Sequence, residues 1–67
     1  HLLNIISHRE RDIIRLLLTQ KTSKEIATSL NISKHTVDTH RRNILKKMNI
    51  SSTIELTQYF KNQSQLL

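Results

Sequence analysis

The sequence predicts an all-α fold, a four-helix domain built around a helix-turn-helix and without strands. Three observations carry that expectation. The capping-box pattern Ser/Thr-x-x-Glu stands three times ahead of an apolar-periodic run, at Ser7 to Glu10, Thr22 to Glu25 and Ser52 to Glu55. Within each run the apolar residues return every three or four positions, which stacks them on one helical face. No segment alternates with period two, so nothing reads as a strand. The helices implied cover about 8–19, 23–30, 34–48 and 53–62.

Residues 1–6 read as a lead-in or linker remnant, of which Leu2, Leu3, Ile5 and Ile6 are apolar enough to pack in part. With Ser7 as N-cap, the first helix buries Ile13, Ile14, Leu17 and Leu18 and turns Arg11, Asp12 and Arg15 outward. Asp12 and Arg15 are spaced to pair. The second box opens a short helix carrying Ile26, Ala27 and Leu30. Asn31 then ends it, because Asn, after glycine, best takes the left-handed conformation that closes a helix. Ser33 caps the next helix, Ile32 plugs the angle between the two, and small Ala27 lets them approach. Two helices joined through so tight a turn form a helix-turn-helix.

The third helix turns Val37, Ile44 and Met48 to the core. At about 100° per residue, His35, Asp38, Thr39, Arg42, Asn43 and Lys46 then fall on its far side. That face is hydrogen-bonding and mostly basic, unlike one meant for a buried partner. Asn49 ends this helix as Asn31 ends the previous one. The last helix carries Leu56, Tyr59 and Phe60 on one side, and 63–67 reads as a frayed tail, leaving 7–62 as the domain.

Sixty-seven residues make one small domain. A chain of this length buries only about 60% of its unfolded surface, so the core is thin. There is no Cys, which excludes disulfides and thiolate metal sites and points to a reducing, cytoplasmic home. Neither Gly nor Pro occurs, so there is no internal linker, Gly-rich phosphate loop or strained nucleophile turn. No apolar run approaches the roughly 20 residues of a membrane span. The chain starts at His1 without an initiator Met, as expected of a domain cut from a longer protein.

Charge is the strongest bulk signal. Eleven Lys and Arg against five Asp and Glu give +6. Lys34, Arg41, Arg42, Lys46 and Lys47 face one acid, Asp38, within 34–47, a local excess of four. A basic stripe on one helix is the footprint of a phosphate backbone. Anionic membrane is the rival, but this helix lacks the broad apolar face an interfacial helix inserts. The only aromatics, Tyr59 and Phe60, lie off the stripe, which argues against single-stranded nucleic acid, whose bases need stacking platforms.

The assembled motifs resemble the DNA-binding domain of LuxR/GerE-type bacterial transcription regulators. Ile6-Ser7-His8-Arg9-Glu10 matches the family's opening Leu-Thr-x-Arg-Glu, and Thr22-Ser23-Lys24-Glu25-Ile26-Ala27 its Ser-x-Lys-Glu-Ile-Ala. Leu30-Asn31-Ile32-Ser33 stands for the Leu-Gly-Ile-Ser turn. Thr36, Val37 and His40 match the Thr-Val-x-x-His core, and Asn43, Ile44, Lys47 and Met48 its Asn-Ile-x-x-Lys-Leu ending. There are departures: Gln20, Asn31 and Asn49 replace family glycines, and Thr53 stands where an Arg is usual.

The resemblance implies that the helix from Lys34 enters the major groove with Asp38, Thr39 and Arg42 toward base edges. Arg42 can bridge guanine O6 and N7, Thr39 can touch a thymine methyl, and Asp38 can accept from cytosine N4 or, four residues before Arg42, aim its guanidinium. Lys24, Ser33, Thr36, Lys46 and Lys47 are the candidate phosphate contacts, which position without reading sequence. The resemblance further implies a homodimer on DNA through the last helix, with Leu56 or Tyr59 at the twofold, a missing upstream regulatory domain, and a contact with RNA polymerase. No cofactor is expected. His35 and His40 point about 140° apart, which excludes a shared metal, and no Ser or Thr has a base and orienting acid arranged for catalysis, so no enzyme is expected. Two other functions fit less well: the promoter-binding helix-turn-helix of sigma-factor region four, and a basic helical adaptor for an acidic protein.

Overall fold

A computed structural model describes residues 5–62. Among the described residues four helices appear in the expected order: α1 (His8–Leu18), α2 (Ser23–Leu30), α3 (Lys34–Met48) and α4 (Thr53–Asn62). Among the described residues there is no strand. The lead-in expected at 1–6 is described only from Ile5, and the tail at 63–67 lies outside the described residues.

Local chemistry sets the helix ends. Ser7 Oγ accepts the Glu10 N–H at 3.1 Å while Glu10 Oε1 accepts the Ser7 N–H at 2.8 Å, a complete capping box. Thr22 and Glu25 repeat it at the same two distances. The third box is only half formed. Ser52 Oγ accepts the Glu55 N–H at 3.2 Å, but the Glu55 carboxylate takes the Ser51 hydroxyl at 2.5 Å instead of reaching back to Ser52. A hydroxyl one residue upstream has outcompeted the backbone.

The C-termini of α1, α2 and α3 are built alike. Gln20, Asn31 and Asn49 have φ of 63°, 57° and 56°. In each case the positive-φ N–H bonds three residues back and the following N–H five back: Gln20 to Leu17 and Lys21 to Leu16, Asn31 to Thr28 and Ile32 to Ala27, Asn49 to Lys46 and Ile50 to Leu45. This is the Schellman closure, which satisfies carbonyls the helix leaves open. Both Asn residues do what the sequence suggests. Gln20 does the same without Asn's tolerance, and its Cβ costs about 1–2 kcal/mol there. The α1 helix ends one residue earlier than expected because the Thr19 hydroxyl and N–H both turn onto Leu16 O, at 2.8 and 3.1 Å.

Ile6, Ile13, Ile14, Leu17, Ile26, Ala27, Val37, Ile44, Leu56 and Phe60 form the buried core. The helices α1 and α3 each pack on all of the other three, so α3 is held by its inner face along its length. Leu18, Leu30, Met48 and Tyr59 reach only partial burial at the core's edge. Ile32 packs there too, as expected of the residue that plugs the turn. Arg11, expected outside, is half-buried.

Candidate nucleic-acid interface

The third helix begins where Ser33 Oγ accepts the Thr36 N–H at 3.0 Å, and the Ser33 and Thr36 hydroxyls lie 2.9 Å apart. Two of the five candidate phosphate contacts, Ser33 and Thr36, are therefore already joined in one cap. With Val37 and Ile44 fully buried, the opposite side of α3 must face outward. His35, Arg42, Asn43 and Lys46 are exposed there, and Asp38 and Thr39 are half-buried along its margin.

Side chains on this face are ordered by bonds along the helix. Thr39 Oγ1 donates to His35 O at 3.0 Å and accepts from Arg42 Nη2 at 3.3 Å. The Thr39 hydroxyl is thus spent inside the helix, and the Arg42 guanidinium is aimed by Thr39. The expected pairing of Asp38 with Arg42 is not what forms. Asp38 Oδ2 accepts from Lys34 Nζ at 2.9 Å and Oδ1 from Arg41 Nη2 at 3.3 Å. The Lys34 bond first, then the nearby Ser23 hydroxyl, hold its carboxyl below the usual range, against the opposing effect of burial. Ser23, buried at the start of α2, lies near this carboxylate.

The adjacent lysines separate. Lys46 is exposed and its ammonium makes no ion pair or hydrogen bond among the described residues, and the Lys24 ammonium on α2 stands likewise. Lys47 Nζ instead donates to Glu10 Oε1 at 2.7 Å, across 37 residues of sequence. Glu10 is 3% exposed. Burial alone would raise its carboxyl, yet the bonds from Lys47 and Ser7 bring it below the usual range. No local spacing signals that pair, which exists only because α1 packs on the end of α3.

On α4 one expectation is overturned. Leu56, expected at a dimer surface, is wholly buried in the core. Tyr59 is half-buried, its ring edge-to-face with Phe60 at 5.1 Å. The apolar side chain that α4 does expose is Ile54, at 70%. Two positions from Leu56 on a helix is about 200° round, so the burial of one implied the exposure of the other.

Among the described residues no group of His, Cys, Asp and Glu could hold a metal ion, and no helix is long and apolar enough to cross a membrane.

Residues 4–60 match the family described as bacterial regulatory proteins, luxR family. The chain is 49% identical over 53 residues to the uncharacterized response regulatory protein YgeK of Escherichia coli K12, covering 79% of this chain and 36% of that protein. Over 54 residues it is 43% identical to the transcriptional regulatory protein MctR of Rhizobium johnstonii, covering 81% and 25%. With the nitrate/nitrite response regulator protein NarP of Escherichia coli K12 it shares 38% over 60 residues, covering 90% and 28%. It thus spans between a quarter and about a third of the length of these relatives. With a four-helix fold, a capped helix-turn-helix and a match over nearly all its described length, the chain belongs to the luxR family of bacterial regulatory proteins, a family of DNA-binding transcription regulators and not of enzymes.

Proposed function

We propose that this domain reads duplex DNA with α3 in the major groove, as the output module of a cytoplasmic bacterial transcription regulator. The observation that supports it best is the outer face of α3, where Arg42 and Lys46 stand exposed while Val37 and Ile44 are buried behind them. Thr39 and Arg42 form the groove-facing pair, with Asp38 at its margin and both carboxylate oxygens bonded to Lys34 and Arg41. Thr39, whose hydroxyl is used within the helix, offers its methyl to a thymine, and Arg42, steadied by Thr39, bridges a guanine. Lys24, Ser33, Thr36 and Lys46 meet phosphates on either side and set register without reading sequence. Lys47 serves the same surface mainly by fixing the end of α3 on Glu10.

The wider role follows the relatives. Their names describe response and transcriptional regulators, and the chain covers only part of each, so a signal-receiving segment in the remaining length is the natural complement. Two copies would meet through the outer face of α4, now centred on Ile54, and bind a repeated site. RNA polymerase is the expected downstream partner.

A salt titration tests the core of this reading. Binding to duplex DNA, followed by fluorescence anisotropy with a sequence-randomised competitor, should weaken linearly in log–log form, by about 0.9 per phosphate neutralised. Arg42→Ala should lose about 1–3 kcal/mol on a duplex selected by the unaltered chain from a random pool and relax preference at one base pair. Equal losses on selected and random DNA would remove Arg42 from base reading. Binding to an acidic protein in place of DNA would favour the adaptor function.

A further inference from the structure

Asp38 is the only acid on α3. An acid on a helix that faces phosphates repels them, so what it holds is informative. Both of its oxygens carry a cation of the same helix, Lys34 at 2.9 Å and Arg41 at 3.3 Å. The carboxylate lies deeper than either partner: its side chain is 24% exposed, against 62% for Lys34 and 35% for Arg41. Ser23 at the start of α2 stands beside it. The cluster therefore sits on the α2 flank of α3, apart from the Thr39–Arg42 pair.

From this geometry we infer that Asp38 is a positioning residue for specificity, holding Lys34 and Arg41 off the DNA phosphates so that Thr39 and Arg42 dominate what α3 senses. The inference deepens the major-groove reading and rests on it. The physical basis is that phosphate contacts favour every sequence alike. A cation paired with a carboxylate of its own helix must break that pair before it can displace a counterion from DNA. Lowering the sequence-independent contribution while leaving base contacts alone raises the ratio of specific to random binding. Direct reading of a cytosine by Asp38 would instead require both of its present cation bonds to yield.

The test measures salt dependence on a random duplex and on the duplex selected by the unaltered chain. Asp38→Asn keeps the shape of the side chain and removes its charge. It should steepen the slope by between about one and two, one for each cation released, and tighten random binding roughly three- to tenfold near 0.1 M salt. The ratio of selected to random affinity should fall. Asp12→Asn on α1, which gives up an acid paired with Arg9 and Arg15, adds the same charge elsewhere and should move the slope far less. Lys34→Ala should leave the slope of the unaltered chain nearly unchanged but lower it by about one in the Asp38→Asn background. A structural role alone gives no such pattern, because a destabilised domain binds less. An unchanged slope in Asp38→Asn, or a drop of about one on Lys34→Ala alone, overturns the inference. So does a loss confined to one C·G pair with random binding unaltered, which marks a direct reader. Absence of duplex binding by the unaltered chain overturns the major-groove reading together with this one, whereas normal binding with an unmoved slope overturns this one only.

Discussion

Glu10 and Asp38 each hold an ammonium of α3, and they do so in opposite surroundings. Glu10 is 3% exposed, and Lys47 reaches it from 37 residues away. Asp38 keeps its side chain 24% exposed and draws its cations from one turn to either side. The first pair joins the N-terminus of α1 to the C-terminus of α3, so the same carboxylate closes a capping box and fastens two helices. The second joins α3 mainly to itself. Exposed pairs at three- and four-residue spacing contribute little to stability, because water and salt screen them. A buried carboxylate that loses its cation has no such relief. One chemistry thus does two jobs: at Glu10 it orients the helix that meets DNA, and at Asp38 it shapes the charge that helix presents.

Breaking the two sites should separate those jobs. The largest expected effect is Glu10→Ala, which removes half of a capping box and the anchor of Lys47 together. Destabilisation of about 1–3 kcal/mol should follow, a drop on the order of 4–8 °C in melting temperature for each kcal/mol in a domain of this size. Asp38→Ala should leave the melting temperature nearly in place. Acid sharpens the contrast further. The folded-state pKa of Glu10 lies below its ordinary value, so its stabilising contribution is complete above the unfolded-state pKa. It is lost as pH falls from about 4.3 through the lower folded value. The gap between the unaltered chain and Glu10→Ala should therefore hold steady at neutral pH and close in acid. A gap that persisted undiminished after Glu10 protonated would mean the side chain acts by packing and not by charge.

Next in size is the division between neighbours. Lys46→Ala should lower the salt slope of duplex binding by about one, with no change in melting. Lys47→Ala should do the reverse, shifting the melt and leaving the slope almost alone. Equal slopes lost at both positions would show that Lys47 leaves Glu10 when DNA arrives. The smallest expected effect lies at Gln20, away from both carboxylates. Gln20→Gly relieves the Cβ at φ 63° and should stabilise by about 0.5–1 kcal/mol, the relief being partly offset by the greater freedom of Gly in the unfolded chain. Because it alters no charge, it should leave every salt slope where it was, a baseline for the other variants.

Most of the architecture was legible in the sequence. Ser7, Thr22 and Ser33 bond to amides three residues on, and Asn31 and Asn49 close their helices through carbonyls three to five residues back. Such interactions need nothing beyond the local chain, and the family motifs spread across the same elements pointed to DNA. What the sequence left open is the choice among equally spaced partners. Asp38 could reach Lys34, Arg41 or Arg42, and the last looked favourable on helix geometry alone. The first two form, while Arg42 bonds Thr39. Glu55 likewise had Ser51 and Ser52 within reach, and turned to Ser51. Gln20 has no intrinsic claim to a left-handed backbone, and takes one where α1 must close and the chain turn back to α2. Leu56 and Ile54 differ only in phase, and the packing of α4 on α1 decides which is core and which is surface. The chain itself therefore determined its helices, their caps and the basic face of the third. The tertiary structure decided that Lys47 is held while Lys46 is left free, because Glu10 comes within 2.7 Å of Lys47 only when α1 packs on the end of α3, and that approach is set by packing across many residues.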